Sequence, residues 1–230
     1  MIGAMKTFRV IGDIHGLNYW EELIDLEAIN IFVGDYFDPY TNIPFEEMKD
    51  NFLKIIEYKK QYPDNFILLY GNHDFQYIQT NSFDKYSRYN MIYANEIKQL
   101  LLDNDEYMHG ICYVIDNYVI THAGITKEWA ERYLPKWYSL DKLEEFINLL
   151  WNMDKSCFSF NRNAPFWDSF GEACTNSPIW IRPSGLIEHN VFTDDTIQIV
   201  GHTHVLDVTE EDNIIFVDCL RSKINCFKNY

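Results

Sequence analysis

Apolar and polar positions in the first third of the chain form short hydrophobic runs separated by longer amphipathic stretches. The runs predict strands, and the stretches between them have the spacing of helices. The predicted strands are residues 8–11, 31–33 and 66–70, and the predicted helices are residues 18–28 and 45–60. This order of strand, helix, strand, helix and strand is typical of a layered α/β domain.

The rest of the chain predicts further strands and one irregular segment. Residues 127–178 are rich in Trp, Phe and Asn and have little regular periodicity. We therefore expect an α/β fold in one domain, residues 1–230, with an insert at about 127–178 that is a candidate cap. The remaining predicted elements are helical spacing late in 75–106, a hairpin of 111–115 and 118–121, a helix around 140–152, and strands at 197–200, 214–217 and 224–227.

Composition indicates a folded protein without a membrane-spanning segment. Apolar residues make up 47% of the chain and aromatic residues 17%, which is enough for a large core. No apolar run approaches the ~18 residues that a spanning helix needs. The segment before the first strand is too short for a signal peptide, so we expect a cytoplasmic protein. The five cysteines include no C-x-x-C pair, and we expect buried thiols rather than a zinc ribbon or disulfide framework.

The formal net charge of −16 argues against nucleic acid as a partner. A chain of this charge repels phosphate backbones unless a local positive charge reverses the field. Bound metal cations can supply that local charge, and an acidic chain can then bind a phosphate group. The nature of the polar motifs therefore decides which functions are open to the chain.

Polar motifs follow five of the predicted strands at the point where each strand ends. Ligand sites of open α/β sheets lie outside the carboxyl ends of the strands. Taken singly, a strand-end Asp or Asn is usually a turn residue, but five of the seven histidines also lie in these motifs. Together the motifs predict a metal site. They are Gly12-Asp13-Ile14-His15-Gly16, Gly34-Asp35-Tyr36-Phe37-Asp38, Gly71-Asn72-His73-Asp74, Thr121-His122-Ala123-Gly124 and Gly201-His202-Thr203-His204.

The motifs offer a mixed set of oxygen and nitrogen donors. Such a set suits manganese, iron or zinc better than calcium, which prefers oxygen ligands. No cysteine lies in the motifs, which argues against a closed structural zinc site. The donors exceed the need of one ion, and a carboxylate shared by two ions would place them ~3.5–4 Å apart. The donor residues are Asp13, His15, Asp35, Asn72, His122, His202 and His204.

These motifs resemble those of the calcineurin-like metallophosphoesterase superfamily, over residues 8 to about 205. The first two are most similar to the serine/threonine phosphoprotein phosphatase branch. That branch includes small bacterial and phage phosphatases and symmetrical dinucleoside tetraphosphatases. The resemblance implies a two-sheet β-sandwich core flanked by helices, with the aromatic-rich insert added, and the activity of a metal-dependent phosphoric ester hydrolase.

The resemblance also implies a role for each residue of the site. Asp35 would be shared by two divalent ions, with manganese expected and iron or zinc as alternatives. His73 would protonate the leaving oxygen, and Asp38 would orient His73. Arg182, in the segment Ile179-Trp180-Ile181-Arg182, would bind the phosphate group. The first ion would be held by Asp13, His15, Asp35 and His204, and the second by Asp35, Asn72, His122 and His202.

Two departures from the family pattern affect what the site is expected to do. The branch reads G-D-x-x-D-R-G, whereas Pro39-Tyr40 stands here in place of Arg-Gly, so one phosphate-binding arginine is missing. Arg88, Arg132 and Arg162 are candidates to replace it. The second departure is His204, because the motif G-H-x-H with two histidines is the general phosphodiesterase pattern of the superfamily.

The expected function is hydrolysis of a phosphate monoester, of a small molecule or a phosphoprotein, by a hydroxide that two metal ions activate. The alternative is a phosphodiesterase or a dinucleoside polyphosphate hydrolase, and a metal-bearing scaffold without activity is a third reading. The expected partner is a phosphate-ester substrate, with no membrane and no nucleic acid. Aromatic residues of the insert are either core or a lid: Trp129, Trp137, Trp151, Phe158, Phe160, Phe166 and Trp167.

Overall fold

Two β-sheets form the centre of the structure, a computed structural model that describes residues 7–79, 88–136, 139–160, 171–193 and 195–229. Most of their strands are short runs of β-branched and aromatic residues, as expected for half-buried or buried strands. In chain order the strands are β1 (Phe8–Ile11), β2 (Ile29–Phe32), β3 (Phe66–Leu68), β4 (Cys112–Ile115), β5 (Tyr118–Thr121), β6 (Ile197–Val200), β7 (Thr209–Glu211), β8 (Ile214–Phe216) and β9 (Phe227–Asn229).

Each sheet has parallel strands at its centre and an antiparallel strand at an edge. The first sheet has the order β3-β2-β1-β9, in which β1, β2 and β3 are parallel and β9 is antiparallel to β1. The second has the order β4-β5-β6-β8-β7, with β5, β6 and β8 parallel. Because parallel strands point the same way, the carboxyl ends of three strands meet at one edge of each sheet.

The two sheets are joined by an aliphatic core. Val10 and Ile31 of the first sheet are buried in one cluster with Ile120, Ile199 and Ile215 of the second. Neighbouring side chains along a strand point to opposite faces of its sheet. The residues that directly follow Val10 and Ile31 in the chain therefore belong to a different cluster. In that cluster they pack with the helices. The mixed α/β fold with a two-sheet core, flanked by helices, confirms the predicted fold class.

In the part of the chain that the structure describes, six α-helices surround the sheets, and α1 shows how the amphipathic spacing arises. Phe52 and Ile55 are buried in the same cluster as Phe32 of β2. Glutamates lie in its first turn and lysines in its last turn, which complements the helix dipole. The helices are α1 (Phe45–Gln61), α2 (Asn72–Ile78), α3 (Ala94–Asp103), α4 (Lys127–Tyr133), α5 (Leu140–Met153) and α6 (Pro183–Glu188). Three short 3₁₀ helices are Tyr19–Glu22, Asp105–Tyr107 and Lys155–Phe158.

The prediction of a helix over residues 18–28 was wrong. The segment has only the 3₁₀ helix Tyr19–Glu22, followed by turns. The backbone groups of Asp25 bond to the Asn30 side chain, through N–H to Oδ1 at 2.9 Å and through the carbonyl to Nδ2 at 2.8 Å. These bonds take the place of helical ones, because Asn side chains compete with the backbone ladder.

The last predicted strand, 224–227, was misplaced, since β9 begins at Phe227. Asn225 bonds to the Asp207 side chain and back to the N–H of Cys226, so the chain turns there instead of extending. β9 then crosses to pair with β1 in the first sheet. Four short elements, α2, α4, β7 and α6, were not predicted, because segments of seven residues or fewer carry little periodicity.

Part of the predicted insert is core. Trp151 and Phe158 contact each other with ring centroids 5.3 Å apart, and Trp129 contacts Phe158 at 5.5 Å. All three side chains are buried. Trp137, Phe166 and Trp167 lie outside the described residues. The single domain at 1–230 and the boundaries of the insert at about 127–178 stay predictions.

Candidate active site

Four predicted site residues have a backbone conformation that residues other than glycine rarely adopt. The φ angles are +44° at His15, +56° at Asp35, +61° at Asp38 and +64° at His202. Left-handed backbone at such residues is uncommon and costs roughly 1–3 kcal/mol each. Four instances in the strand-end motifs indicate loops that are held in place to aim particular side chains.

Two glycines make room for the carboxylates of the site. A Cβ atom at Gly71 would overlap Oδ1 of Asp35, and a Cβ atom at Gly201 would overlap Oδ1 of Asp13. The glycines of two strand-end motifs are therefore needed because a carboxylate lies where any other side chain would begin.

Asp13, His15 and Asp35 form the first group of donors. Nε2 of His15 lies 3.8 Å from Oδ2 of Asp13 and 3.7 Å from Oδ2 of Asp35. Nδ1 of the same ring lies 3.0 Å from the carbonyl oxygen of Phe37. A carbonyl only accepts hydrogen bonds, so Nδ1 carries the proton, and in the neutral ring Nε2 presents a lone pair to both carboxylates.

His122, Asn72 and His202 form the second group, which Asp35 joins to the first. Nε2 of His122 lies 2.8 Å from Oδ1 of Asn72 and 3.5 Å from Oδ2 of Asp35. Nδ1 of His202 lies 2.8 Å from the same Asn72 oxygen. Nδ1 of His122 lies 2.8 Å from the carbonyl oxygen of Val33, so its Nε2 also presents a lone pair to oxygen atoms.

Burial and charge explain why these groups could hold a cation. Burial raises the pKa of Asp13 and of Asp35 well above the usual range, and neighbouring aspartates add to both shifts. Burial also lowers the pKa of His15 and brings that of His122 to about 3, so neither ring supplies a positive charge near neutral pH. Two carboxyl groups and histidine lone pairs therefore converge, and a bound cation would keep both carboxyls ionised. This set of donors fits divalent metal ions, which provide the missing positive charge.

One donor atom from each of Asp13, Asp35 and His122 lies within 4.8 Å of the other two. The three are buried. The structure thus contains a buried Asp/His group that could hold a metal ion, at the place that the strand-end motifs predicted.

His204 stands apart from the other predicted donors. It is exposed, and its ring nitrogens lie 3.1 Å from the carbonyl oxygen of Asp218 and 2.8 Å from the Ser222 hydroxyl. Its role as a ligand of the first ion stays a prediction.

His73 and Asp38 form a buried pair beside the first group. Nδ1 of His73 lies 2.9 Å from Oδ2 of Asp38, which leaves Nε2 as the nitrogen available to a substrate. The His73 ring lies 5.1 Å from the His15 ring, centroid to centroid. Gln76 and Tyr77 also donate to the Asp38 carboxylate. Sequence reasoning missed these two residues, although their spacing from His73 on one short helix is a usable signal.

Asp74 ties together two of the motif loops. Its carboxylate accepts hydrogen bonds from the N–H groups of Asp35 at 2.7 Å, Tyr36 at 3.0 Å and Gly71 at 2.9 Å. The last of these caps the first turn of α2. The side chain therefore fixes the Asp35 loop against the loop that carries Asn72 and His73.

Arg182 lies beside the second group. Its Nη1 donates to the Thr203 hydroxyl at 3.1 Å, within the motif of His202. After burial, its charge is the largest contribution that lowers the pKa of His202. The structure thus brings the predicted phosphate-binding arginine next to the predicted ligands.

Two arginines lie beside the position where the family arginine is missing. Arg88 donates to the carbonyl of Pro39 at 3.1 Å, and its guanidinium lies 4.0 Å from the ring centre of Tyr40. Arg221, which sequence reasoning missed, lies 3.7 Å from the same ring centre. Its Nη2 is 3.4 Å from Oδ2 of Asp218. The sequence feature that could have revealed Arg221 is Asp218, a buried aspartate that follows a further parallel strand, β8.

Arg132, another candidate, does not fill this position. Arg132 lies over the Tyr133 ring, at 5.1 Å from its centre, on the same helix. Arg162 lies outside the described residues.

Comparison with known proteins agrees with the fold. The family model described as calcineurin-like phosphoesterase matches residues 6–206, most of the chain. These residues and this fold are those of a phosphoric ester hydrolase. The chain belongs to the calcineurin-like phosphoesterase family, which binds divalent metal ions.

Solved structures with the same fold include two phosphatases. A cold-active protein-tyrosine phosphatase of a psychrophilic Shewanella species is 18% identical, with a TM-score of 0.60, over 96% of this chain and 73% of that chain. A protein serine/threonine phosphatase from Saccharomyces cerevisiae is 15% identical, with a TM-score of 0.56, over 93% of this chain and 67% of that chain. At these identities the likeness concerns the fold.

Among the described residues, no helix is long and apolar enough to cross a membrane.

Proposed function

We propose that the chain hydrolyses phosphate monoesters, of a small molecule or of a phosphoprotein, with two bound divalent ions. The observation that carries the proposal is the convergence of buried carboxylates and histidine lone pairs on Asp35, next to the His73–Asp38 pair. Manganese is the expected metal, with iron or zinc as alternatives. The proposed ligands are Asp13, His15, Asp35 and His204 for one ion, and Asp35, Asn72, His122 and His202 for the other.

The ions would neutralise phosphate oxygens and lower the pKa of a water molecule toward ~7. His73 would give its Nε2 proton to the leaving oxygen, where negative charge grows as the ester bond breaks. Asp38 would hold His73 in the tautomer with the Nδ1 proton and would stabilise the imidazolium form. Gln76 and Tyr77, by donating to Asp38, would keep that carboxylate in place.

Arg182 would bind the phosphate oxygens that face away from the leaving group. A monoester dianion carries more charge than a diester monoanion, so a clamp of this kind serves a monoester better. The position of Arg182 next to His202 and Thr203 supports this role. A guanidinium offers a two-pronged set of donors that matches a phosphate edge.

The alternative is a phosphodiesterase or a dinucleoside polyphosphate hydrolase, and the presence of His204 favours it. The discriminating experiment loads the protein with manganese and compares p-nitrophenyl phosphate, bis-p-nitrophenyl phosphate and diadenosine tetraphosphate. We expect the highest kcat/KM for p-nitrophenyl phosphate. A higher value for either of the other two substrates would replace the monoester assignment with the alternative.

The metal content is tested separately by elemental analysis. We expect two transition-metal ions per chain, or activation by added manganese. A protein that contains no metal and is not activated by manganese would contradict the proposed function.

A further inference from the structure

A cavity of about 250 Å³ opens beside the first group of donors. It is continuous with the proposed site because one of its walls is His15, whose ring also contacts His73. Only the His15 ring would separate a ligand group in this cavity from the proposed metal position and from His73, the proposed acid. The lining residues are His15, Leu17, Tyr19, Tyr40, Thr41 and Arg221.

The cavity has flat apolar walls. The Tyr40 ring meets the His15 ring edge to face, with centroids 4.8 Å apart, and Tyr19 and Leu17 add further carbon surface. Aromatic walls of this kind bind aromatic or planar groups. The volume is below the ~300–1,000 Å³ of sites for drug-sized ligands, so it suits a single ring with one substituent.

The wall also carries a positive charge with a fixed orientation. The guanidinium of Arg221 lies 3.7 Å from the centre of the Tyr40 ring. Its Nη2 lies 3.4 Å from the buried Asp218 carboxylate, and the Arg221 side chain is 22% exposed. The contact with the Tyr40 ring and the ion pair with Asp218 fix the plane of the Arg221 guanidinium. Most of its N–H groups make no hydrogen bond to the described residues.

A second guanidinium adds to this charge. Arg88 lies 4.0 Å from the same Tyr40 ring centre and donates to the Pro39 carbonyl at 3.1 Å, and both of these partners are uncharged. Arg88 does not line the cavity, but it lies against the same Tyr40 and so adds to the local positive charge in a chain of net charge −16. Such a wall attracts an anionic group.

We infer that this cavity binds the leaving group of the substrate and selects a leaving group that joins an aromatic ring to an anionic substituent. The aromatic ring of the leaving group lies against Tyr19 and Leu17, and Arg221 binds the anionic substituent. The substrate class is therefore an aryl phosphate monoester with a second negative charge on its ring. This inference rests on the proposed phosphomonoesterase function and concerns a different part of the substrate from Arg182.

The test compares two esters of the same shape with the manganese-loaded enzyme. One is 4-carboxyphenyl phosphate, and the other is its neutral analogue 4-carbamoylphenyl phosphate. The amide withdraws electrons more strongly than the carboxylate, so intrinsic reactivity favours the neutral ester. We expect the enzyme to reverse this order, with kcat/KM about 10–100-fold higher for the carboxylate, the range of a hydrogen bond between charged groups.

Substitutions assign the preference to the cavity. Arg221→Ala should bring the ratio of the two kcat/KM values down to about one or below, and Arg221→Lys should restore part of it because a point charge remains. Arg132→Ala is the matched control, since Arg132 also lies over a tyrosine but outside the cavity. It should leave the ratio unchanged. Thermal unfolding of each variant verifies that the fold is retained.

Binding without turnover separates this inference from the proposed function. The products 4-hydroxybenzoate and 4-hydroxybenzamide are titrated calorimetrically against the manganese-loaded enzyme and against Arg221→Ala. We expect tighter binding of the carboxylate to the wild-type enzyme only. If no ester is hydrolysed but this difference is found, the proposed function fails and the cavity assignment stands. Equal binding of both products, or equal losses of kcat/KM on both esters in Arg221→Ala, would overturn the cavity assignment.

Discussion

Two groups of metal-ligating side chains occur among the described residues, and their difference shows what makes a metal site. One is Asp13, Asp35 and His122, and the other is Glu128, Cys174 and His189. In both groups one donor atom from each residue lies within 4.8 Å of the others. Distance between the donor atoms therefore does not distinguish them.

Proton donors separate the two groups. In the second group, Nδ1 of His189 lies 2.8 Å from Oε1 of Glu128, and both side chains are about one-third exposed. That ring can donate directly to the carboxylate and form an ordinary ion pair in contact with water. In the first group, Nδ1 of His122 donates its proton to the Val33 carbonyl instead, and the ring is fully buried. In the first group two carboxylates therefore face a ring with no N–H left to donate to them, and a divalent ion fits that arrangement.

The largest effect is expected from Asp35→Asn. Asp35 lies between the two donor groups, so the change should weaken both ions at once. Partners that only orient metal ligands are worth ~10–100-fold in affinity or activity, so we expect kcat/KM to fall by more than about 100-fold. Elemental analysis and kinetics measure the two losses.

Asp25→Asn is the control for Asp35→Asn, because Asp25 pairs with Arg9 at 2.7 Å away from the site. It should leave metal content and kcat/KM unchanged. A much larger loss in Asp13→Asn than in Asp35→Asn would show that Asp35 is not the shared ligand.

The next largest effect is expected from His73→Asn. Turnover of alkyl phosphate esters should fall by roughly 10²–10⁴, the usual contribution of general acid catalysis. The loss should be smaller with p-nitrophenyl phosphate, because that leaving group hardly needs a proton. Metal content should not change, since His73 is not a proposed ligand.

His109→Asn is the matched control, because His109 also pairs with a carboxylate, at 2.7 Å from Nε2 to Oε1 of Glu144. It should leave kinetics unchanged on both substrates. An equal loss on alkyl and p-nitrophenyl esters in His73→Asn would remove His73 from the role of acid.

A smaller effect is expected from Arg182→Ala. A charge-assisted hydrogen bond is worth about 1.5–3 kcal/mol, so kcat/KM should fall by roughly 10–200-fold. KM should rise and kcat should fall together, because the clamp acts in the ground state and in the transition state. Arg182→Lys should recover only part of the loss.

The control for Arg182 is Arg9→Ala, whose guanidinium is held by Asp25 and the Leu23 carbonyl outside the site. Only stability should change in that variant. If Arg182→Ala stays within about twofold of the wild-type kinetics, Arg182 is a packing residue and not a clamp.

The smallest effect is expected from His189→Gln, in the second group of ligating side chains. Partly exposed ion pairs contribute ~0.2–1 kcal/mol, so the melting temperature should fall slightly. Metal content and kcat/KM should stay within about twofold of the wild type, because this pair is partly exposed and its histidine donates directly to the carboxylate. Loss of a bound ion in His189→Gln or Cys174→Ser would break the distinction between the two groups.

Some of the site could be predicted from the sequence because it depends on local chain geometry. The runs of β1, β3, β5 and β6 have the expected periodicity, and each motif begins where such a strand ends. The carboxyl ends of neighbouring parallel strands necessarily lie together. Residue types with suitable donor atoms at those ends therefore predicted where Asp13, Asp35 and His122 meet.

Other contacts of the site join residues that no spacing connects. Gln76 and Tyr77 reach Asp38 across nearly forty positions of the chain, and Arg221 reaches Tyr40 from the far end. The side chain of Asn30 similarly prevented the helix predicted over 18–28 by taking the backbone bonds of Asp25. Each of these contacts depends on which surfaces the folded sheets bring together.

The amino-acid sequence alone determined the α/β class, most strands, the long helices and the residue types available to bind metal. These follow from periodicity and from the direction of parallel strands, which are properties of short stretches of chain. Only the tertiary structure decided which histidine nitrogens face carboxylates and that Arg221 lies at the cavity. The reason is physical: proton positions and charge balance in a buried site depend on every group around it, including carbonyls such as those of Val33 and Phe37.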